Sequence, residues 1–250
     1  MRFLEYGNQN NKAIILIHGY NISWKMWLPQ IDFFSKDYYV IVPILNGHDL
    51  KNSSTFTTVE QAATDIIDYV KRVYGEEIYA LCGASLGATI GIDILAKNQL
   101  KINKAIIDAG PVVPMNKLML FLSIKIRLRL INSMKKGNKR THNMLNRSFY
   151  SKELVEEILK IGANMTEENC RNIHLSVFNY SLPSSLKTVK TDLAYWYGSK
   201  EAWLGKKYAK AISKVLPKAE IKVFQGLNHG ELCIGDPELY IKEATAFFQR

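Results

Sequence analysis

The sequence predicts an α/β protein with a mostly parallel central sheet, helices on both faces of that sheet, and an inserted helical cap. Two observations lead to this prediction. Six short apolar runs, rich in branched and aromatic residues, alternate with segments that have helical spacing of apolar residues. Such alternation is typical of parallel strands buried on both faces. It stops after residue 110 and resumes near residue 193, which indicates an insertion.

The six apolar runs are the predicted strands. In chain order they are AIILI (13–17), YYVIVPI (38–44), IYALC (78–82), KAIID (104–108), LAYWY (193–197) and EIKVF (220–224). The clearest helix follows the second run, where apolar residues between Val59 and Val73 recur at spacings of three and four, and Thr57 with Glu60 predicts its capping box. Ligands of such sheets bind at the carboxyl ends of the strands, so functional side chains are expected there.

The chain is predicted to have two parts. Residues 1–110 and 187–250 form the core, and residues 111–186 form a helical cap, or lid, inserted across the strand ends. The segment SKELVEEILKIGANM is the clearest helix of the cap. No internal repeat or low-complexity tract is evident.

The formal net charge of +10 is concentrated in one segment. Residues 109–152 contain ten Lys or Arg and no Asp or Glu, so the remainder carries 23 basic and 23 acidic residues. A neutral body with one basic segment is not typical of a nucleic-acid-binding domain, and no nucleic-acid partner is expected. Cys82, Cys170 and Cys233 are odd in number and far apart, which predicts reduced thiols and neither a disulfide framework nor a zinc site.

The chain lacks an apolar run long enough for a membrane span, and its first residues lack the apolar segment of a secretory signal. A cytoplasmic location is therefore expected.

The segment Gly83-Ala84-Ser85-Leu86-Gly87 matches the pattern G-x-S-x-G between a predicted strand and a predicted helix. Small flanking residues permit a sharp, strained turn that exposes a serine oxygen at the top of the sheet. Ser85 is therefore a candidate nucleophile, and a nucleophilic serine needs a base.

Among the five histidines, His229 is the candidate base. It follows the last predicted strand in a glycine-containing loop, so it is expected above the strand ends, and the order Ser, acid, His is the one this arrangement uses. His18 in LIHGY is expected to brace its own loop. The other three, His48, His142 and His174, are expected to be surface or packing residues.

Five segments occur in the order and at the spacing usual for α/β-hydrolases. They are LIHGYNISWKMW, PILNGHDLKNS, GASLGA, WYGSKE and GLNHGEL, and on them the chain resembles that family across nearly its whole length. The resemblance implies Ser85 as nucleophile, His229 as base, and an oxyanion hole formed by the backbone N–H groups of Tyr20 and Leu86. The implied mechanism requires no metal and no organic cofactor, and none is expected.

Two carboxylates compete for the role of the acid that orients the base. Glu201 in YGSKEAW stands three residues after the glycine, where the family most often has Asp. Asp108 ends the preceding strand in IIDAGP, a position that some members use, whereas Asp192 lies at the wrong end of its strand. Chain order favours Glu201.

The leading functional hypothesis is hydrolysis of a carboxylic ester through an acyl-enzyme, on a small-molecule acyl substrate such as a monoacylglycerol or another medium-chain ester. Apolar cap residues such as MNKLMLFLSI are expected to line the acyl pocket. Thioesterases, aminopeptidases and carbon–carbon bond hydrolases use the same triad, so these activities stay open. A ligand-binding protein with the scaffold of a hydrolase is also an open alternative. Dehalogenation is disfavoured, because dehalogenases use Asp where this chain has Ser85.

The basic cap also suggests a protein that contacts an anionic membrane surface. Lys125, Arg127 and Arg129, however, alternate with Ile and Leu at a period of two. On a helix that spacing distributes the charges around the axis and does not gather them on one polar face, which disfavours the membrane hypothesis. The oligomeric state stays open.

Overall fold

The computed structural model describes all 250 residues, and seven strands form one sheet in the order β1-β3-β2-β4-β5-β6-β7. The strands are Arg2–Tyr6 (β1), Ala13–Ile17 (β2), Tyr39–Ile44 (β3), Glu77–Ala84 (β4), Lys101–Asp108 (β5), Asp192–Gly198 (β6) and Glu220–Phe224 (β7). Every neighbouring pair is parallel except β1 with β3. The prediction of a mostly parallel sheet is confirmed. The edge strand β1 was not predicted, because its half-buried residues form no continuous apolar run.

Ten α-helices accompany the sheet. They are Leu28–Phe34 (α1), Val59–Val73 (α2), Leu86–Lys97 (α3), Lys117–Lys135 (α4), Lys139–Asn146 (α5), Lys152–Asn164 (α6), Glu167–Asn179 (α7), Ala202–Val215 (α8), Glu231–Gly235 (α9) and Pro237–Phe248 (α10). The predicted helix starting near Val59 is α2. Its N-cap is Thr58, whose side chain accepts a hydrogen bond from the Gln61 N–H, so the prediction of Thr57 as the cap is wrong by one residue.

Alternate residues of the buried strands supply two separate apolar cores. In β2, Ile15 and Ile17 point into the core covered by α2, α3 and α8, whereas Ile14 and Leu16 point into the core covered by α1 and α10. This alternation follows from the period of two of an extended strand. The uninterrupted AIILI run is thereby explained, since both faces of β2 are buried.

Four helices, α4 to α7, lie between β5 and β6, in the segment that the sequence assigns to the cap. Each begins after a polar residue whose side chain accepts hydrogen bonds from backbone N–H groups of the first turn. Helix α4 packs against α6 and α7. The predicted helix SKELVEEILKIGANM corresponds to α6.

Helix α4 has two different faces. Its inward face buries Leu120, Ile124, Ile131 and Met134. Its outward face exposes large apolar side chains, which are 43% to 65% exposed: Leu118, Met119, Phe121, Leu122 and Ile126. No helix of the protein has the length and apolar character needed to span a bilayer.

Candidate active site

Ser85 lies in the sharp turn between β4 and α3, with a backbone φ of +53°. A non-glycine residue with this φ is strained and is held in place by its surroundings. The surroundings are tight: a Cβ atom on Gly83 would overlap the carbonyl oxygen of Gly87, and one on Gly87 would overlap that of Ile17. Both glycines of the pattern are therefore required by close backbone approach.

The structure brings Ser85, His229 and Glu201 together in one hydrogen-bonded series. The Ser85 Oγ lies 2.9 Å from His229 Nε2, and His229 Nδ1 lies 2.7 Å from Glu201 Oε2. The three side chains follow β4, β7 and β6, so all stand at the carboxyl edge of the sheet. With a proton on Nδ1 donated to Glu201, Nε2 is free to accept the Ser85 proton.

The two loops that carry His229 and Glu201 are held against each other. The Gly198 N–H donates to Glu201 Oε1 over 3.4 Å, and the Lys200 N–H donates to the Leu227 carbonyl over 3.0 Å. A Cβ atom on Gly198 would overlap the Leu227 carbonyl, so a side chain there would separate the loops. This packing positions the carboxylate under the imidazole.

The electrostatic environment favours a proton on His229. Desolvation of the imidazole lowers its pKa, but the hydrogen bond and negative charge of Glu201, together with the charge of Asp108, raise it by more, and the pKa of His229 lies above its ordinary value. The side chain of His229 is still 49% exposed, so water can reach it.

Neither Asp108 nor Asp192 forms a hydrogen bond with His229. Asp108 is buried at the end of β5, its Oδ2 has no hydrogen-bond partner, and burial raises its pKa to about 7. Its backbone carbonyl accepts a hydrogen bond from the Ser85 N–H. Asp192, at the opposite end of β6, pairs with Lys104 over 2.9 Å. Of the three carboxylates weighed from the sequence, Glu201 alone forms a hydrogen bond with the imidazole.

The backbone N–H groups of Tyr20 and Leu86 are free to bind an oxyanion. Both residues line the same cavity as Ser85. Leu86 is the first residue of α3, where the helix offers its N–H no acceptor. The Tyr20 N–H has no hydrogen-bond partner in the structure either.

Two buried histidines hold the loop that contains Tyr20. His18 Nε2 accepts from the Leu45 N–H over 3.1 Å, and its Nδ1 donates to the Gly19 carbonyl over 2.8 Å. His48 Nε2 accepts from the Asn21 N–H over 2.9 Å. Burial lowers the pKa of His18 to about 4 and that of His48 to about 3, so both rings stay neutral and able to accept.

The expectation that His18 braces its loop is therefore confirmed. The loop contact of His48 was not predicted, because nothing in NGHDL links that residue to a loop 27 positions earlier. His174 is buried in α7 with its ring against Tyr20, and His142 is on the exposed side of α5.

Ser85 stands between two cavities, of about 260 Å³ and about 190 Å³. Helix α7 supplies apolar lining of the larger one through Ile173, Val177 and Phe178. No residue of MNKLMLFLSI (115–124) lines either cavity, so the expectation that this segment forms the acyl pocket is wrong. Its apolar side chains either face outward from α4 or pack within the cap. No group of three or more His, Cys, Asp or Glu side chains is placed to hold a metal ion.

A family model described as the alpha/beta hydrolase fold matches residues 12–127. A 95-residue stretch is 29% identical to the (E)-2-((N-methylformamido)methylene)succinate hydrolase of Acinetobacter baylyi. That stretch covers 36% of this chain and 35% of the Acinetobacter enzyme, so the likeness spans about a third of each protein.

Solved structures resemble the whole chain. An α/β hydrolase family protein from Desulfitobacterium hafniense has a TM-score of 0.79 at 18% identity, covering 98% of this chain and 99% of its own. A carboxylesterase from Nitrososphaera gargenis has a TM-score of 0.80 at 17% identity, with 99% and 94% covered. A thermophilic esterase from Thermogutta terrifontis has a TM-score of 0.76 at 17% identity, with 99% and 92% covered. At these identities the likeness establishes a common fold.

Proposed function

We propose that this chain, which has the α/β-hydrolase fold, is a serine hydrolase that cleaves carboxylic esters through an acyl-enzyme. The observation that carries the proposal is the series Ser85–His229–Glu201, with its hydrogen bonds of 2.9 Å and 2.7 Å, in which Ser85 and His229 line two cavities. A serine, a base and a carboxylate in this arrangement are recognised by geometry and not by position in the chain.

The first half of the reaction follows from the positions of these groups. Ser85 Oγ attacks the ester carbonyl while its proton passes to His229 Nε2, and Glu201 stabilises the imidazolium. The N–H groups of Tyr20 and Leu86 bind the oxyanion of the tetrahedral intermediate. His229 then donates its proton to the leaving alcohol, and the acyl group remains on Ser85.

The second half repeats these steps with water. His229 takes a proton from a water molecule as that water attacks the acyl-enzyme carbonyl. Collapse of the second intermediate breaks the bond to Ser85 Oγ, which recovers its proton from His229. The carboxylic acid leaves, and the enzyme returns to its starting state.

The apolar lining supplied by α7 suits an acyl chain of short to medium length. The bond class is tested with a panel of nitrophenyl esters of increasing chain length, together with thioester and aminoacyl substrates. Esters are expected to have the highest kcat/KM. If a thioester, an amide or a carbon–carbon bond is cleaved with a higher kcat/KM, the triad assignment stands but the enzyme acts on a bond other than an ester. If none of the compounds is turned over, a ligand-binding protein is favoured.

The pH profile of ester hydrolysis tests the assignment of His229. The base acts in its neutral form, so kcat/KM is expected to fall as the pH decreases through the His229 pKa. Because Glu201 raises that pKa, the midpoint is expected above the ordinary histidine value of 6.5. Removing the negative charge with Glu201→Gln should move the midpoint to lower pH. A rate that does not change between about pH 5 and 9 would contradict the assignment.

A second candidate role, contact with an anionic membrane surface, is favoured by the outward face of α4. That face exposes large apolar side chains, and Lys125 and Arg129 lie among them. An apolar surface bordered by cations is the chemistry that an interfacial helix uses. The charges of Lys135, Lys136, Lys139 and Arg140 follow at the end of α4 and the start of α5, and all four residues are exposed.

Vesicle co-sedimentation tests this role. Replacing those four cations with Gln is expected to weaken binding to anionic vesicles by about several hundredfold or more, since each cation near an anionic leaflet contributes about 1 kcal/mol. Vesicles of neutral lipid serve as the control. Wild-type protein that stays in the supernatant with anionic vesicles, at both low and physiological salt, would exclude the role.

A further inference from the structure

Arg127 is exposed to solvent, but it lies on the same side of α4 as the buried residues, unlike the two cations beside it in the sequence. At about 100° of rotation per residue, position 127 lies on the same side of the helix as the buried Ile124, Ile131 and Met134. Lys125 and Arg129, each two positions away, lie on the opposite side with the exposed apolar residues. The three alternating charges therefore lie on two sides of α4, and only Arg127 is on the side of Ser85.

The guanidinium of Arg127 stands at the junction of the two cavities that flank Ser85. Arg127 lines both cavities, as do Tyr20, Ser85 and His229. Its Cζ lies 6.0 Å from the centroid of the Tyr20 ring, a cation–π contact with one of the two residues whose backbone N–H groups are proposed to bind the oxyanion. A charge at this junction lies near the ester bond, whichever cavity holds the acyl group.

No carboxylate of the protein neutralises this charge. Arg127 forms no ion pair and no side-chain hydrogen bond. Residues 109–152 contain no Asp or Glu. Glu201 is the one acidic residue lining either cavity, and its two oxygens already accept from His229 and Gly198.

An uncompensated cation here opposes the proposed chemistry. The positive charge of Arg127 acts to lower the pKa of His229, against the larger effect of Glu201. It therefore disfavours the imidazolium that forms when Ser85 attacks. A substrate anion paired with Arg127 would remove this repulsion as it binds.

We propose that Arg127 binds a carboxylate carried by the substrate, so that the preferred ester has one carboxylate on its acyl or alcohol part and an apolar remainder. This inference rests on the proposed hydrolase function. A guanidinium matches a carboxylate through two parallel N–H···O hydrogen bonds. One cation without an acidic partner balances the single negative charge of a carboxylate. A phosphate monoester carries a charge of about −1.5 to −2, which one cation does not balance.

Two matched pairs of esters test the proposal. Mono-para-nitrophenyl adipate against para-nitrophenyl hexanoate places the carboxylate on the acyl side, and O-butyryl glycolate against ethyl butyrate places it on the alcohol side. The measured quantity is the ratio of kcat/KM for the anionic ester to that for the neutral one, since a general loss of activity cancels in the ratio. Arg127→Gln is expected to lower the ratio about tenfold to a hundredfold in at least one pair.

Two further variants provide controls. Arg129→Gln removes an outward cation from the same helix and is expected to keep the wild-type ratio. Arg127→Lys keeps the charge without the planar fork and is expected to retain part of the preference. A ratio that is the same in wild type and Arg127→Gln for both pairs would overturn the proposal, as would an equal decrease caused by Arg129→Gln.

A binding measurement separates this proposal from the proposed reaction. Calorimetric titration of Ser85→Ala protein with monomethyl adipate, and with uncharged dimethyl adipate for comparison, does not depend on turnover. The affinity for the monoanion is expected to be lower by about tenfold or more in the double variant Ser85→Ala, Arg127→Gln than in Ser85→Ala. If this difference in affinity is found but no ester is hydrolysed, the hydrolase function is refuted and the role of Arg127 stands. Equal affinities in the two proteins would refute the role of Arg127.

Discussion

Ser85→Ala is expected to reduce kcat for ester hydrolysis by about 10⁴-fold to 10⁶-fold. The change removes the attacking oxygen and the 2.9 Å hydrogen bond to His229 Nε2. It leaves the turn intact, because both residues have a Cβ atom at the same positive φ and the flanking glycines are unchanged. The measurement is steady-state hydrolysis by purified protein, with a thermal unfolding curve showing that the fold is retained.

Ser123→Ala is a matched control for that experiment. Its hydroxyl lies in the cap and donates only to the Leu120 carbonyl, over 2.8 Å, so its removal is expected to leave kcat near the wild-type value. An alanine variant at Ser85 that kept more than about a tenth of the activity would require a different nucleophile.

Glu201→Gln is expected to cost about 10⁴-fold in kcat, the second large effect. The neutral amide can donate to Nδ1, which favours the tautomer with its proton on Nε2 and leaves Ser85 without a base. It also removes the negative charge that stabilises the imidazolium. Asp108→Asn is the matched variant and is expected to have a small effect, since Asp108 makes no hydrogen bond with His229.

The comparison of these two variants identifies the acid. The Asp108 carboxyl is buried with a pKa of about 7, so an isosteric neutral amide resembles a form that it already populates near neutral pH. A large loss in Asp108→Asn combined with a small loss in Glu201→Gln would transfer the acid role to Asp108. Small losses of kcat in both variants would exclude both Glu201 and Asp108 as the acid that orients His229.

Most of the strands that were predicted correctly have a strong local signal. EIKVF was also predicted, but as a strand buried on both faces, whereas β7 is an edge strand in which only Phe224 is buried. AIILI and YYVIVPI are buried on both faces, which requires uninterrupted apolar residues. The edge strand β1 needs no such run, and the choice of Thr58 over Thr57 as the helix cap depends on a single extended residue. Neither feature is strongly specified by the local sequence.

The candidate site was predictable where backbone geometry demands particular residues, as around Ser85. Contacts between distant segments were not predictable. His48 supports Asn21 through a side chain whose partner depends on how two loops meet. The segment MNKLMLFLSI was predicted to line the pocket because it is apolar, but apolarity does not specify which way α4 is rotated about its axis. The same rotation separates Arg127 from Lys125 and Arg129.

Labelling with a fluorophosphonate probe tests the central claim most directly, since the probe reacts with an activated serine and requires no knowledge of the substrate. The wild-type protein is expected to be labelled rapidly, with peptide mapping placing the adduct on Ser85 alone. Labelling should be lost in Ser85→Ala and greatly slowed in His229→Gln. An absence of labelling in folded wild-type protein, or an adduct on another residue, would contradict the assignment of Ser85 as an activated nucleophile.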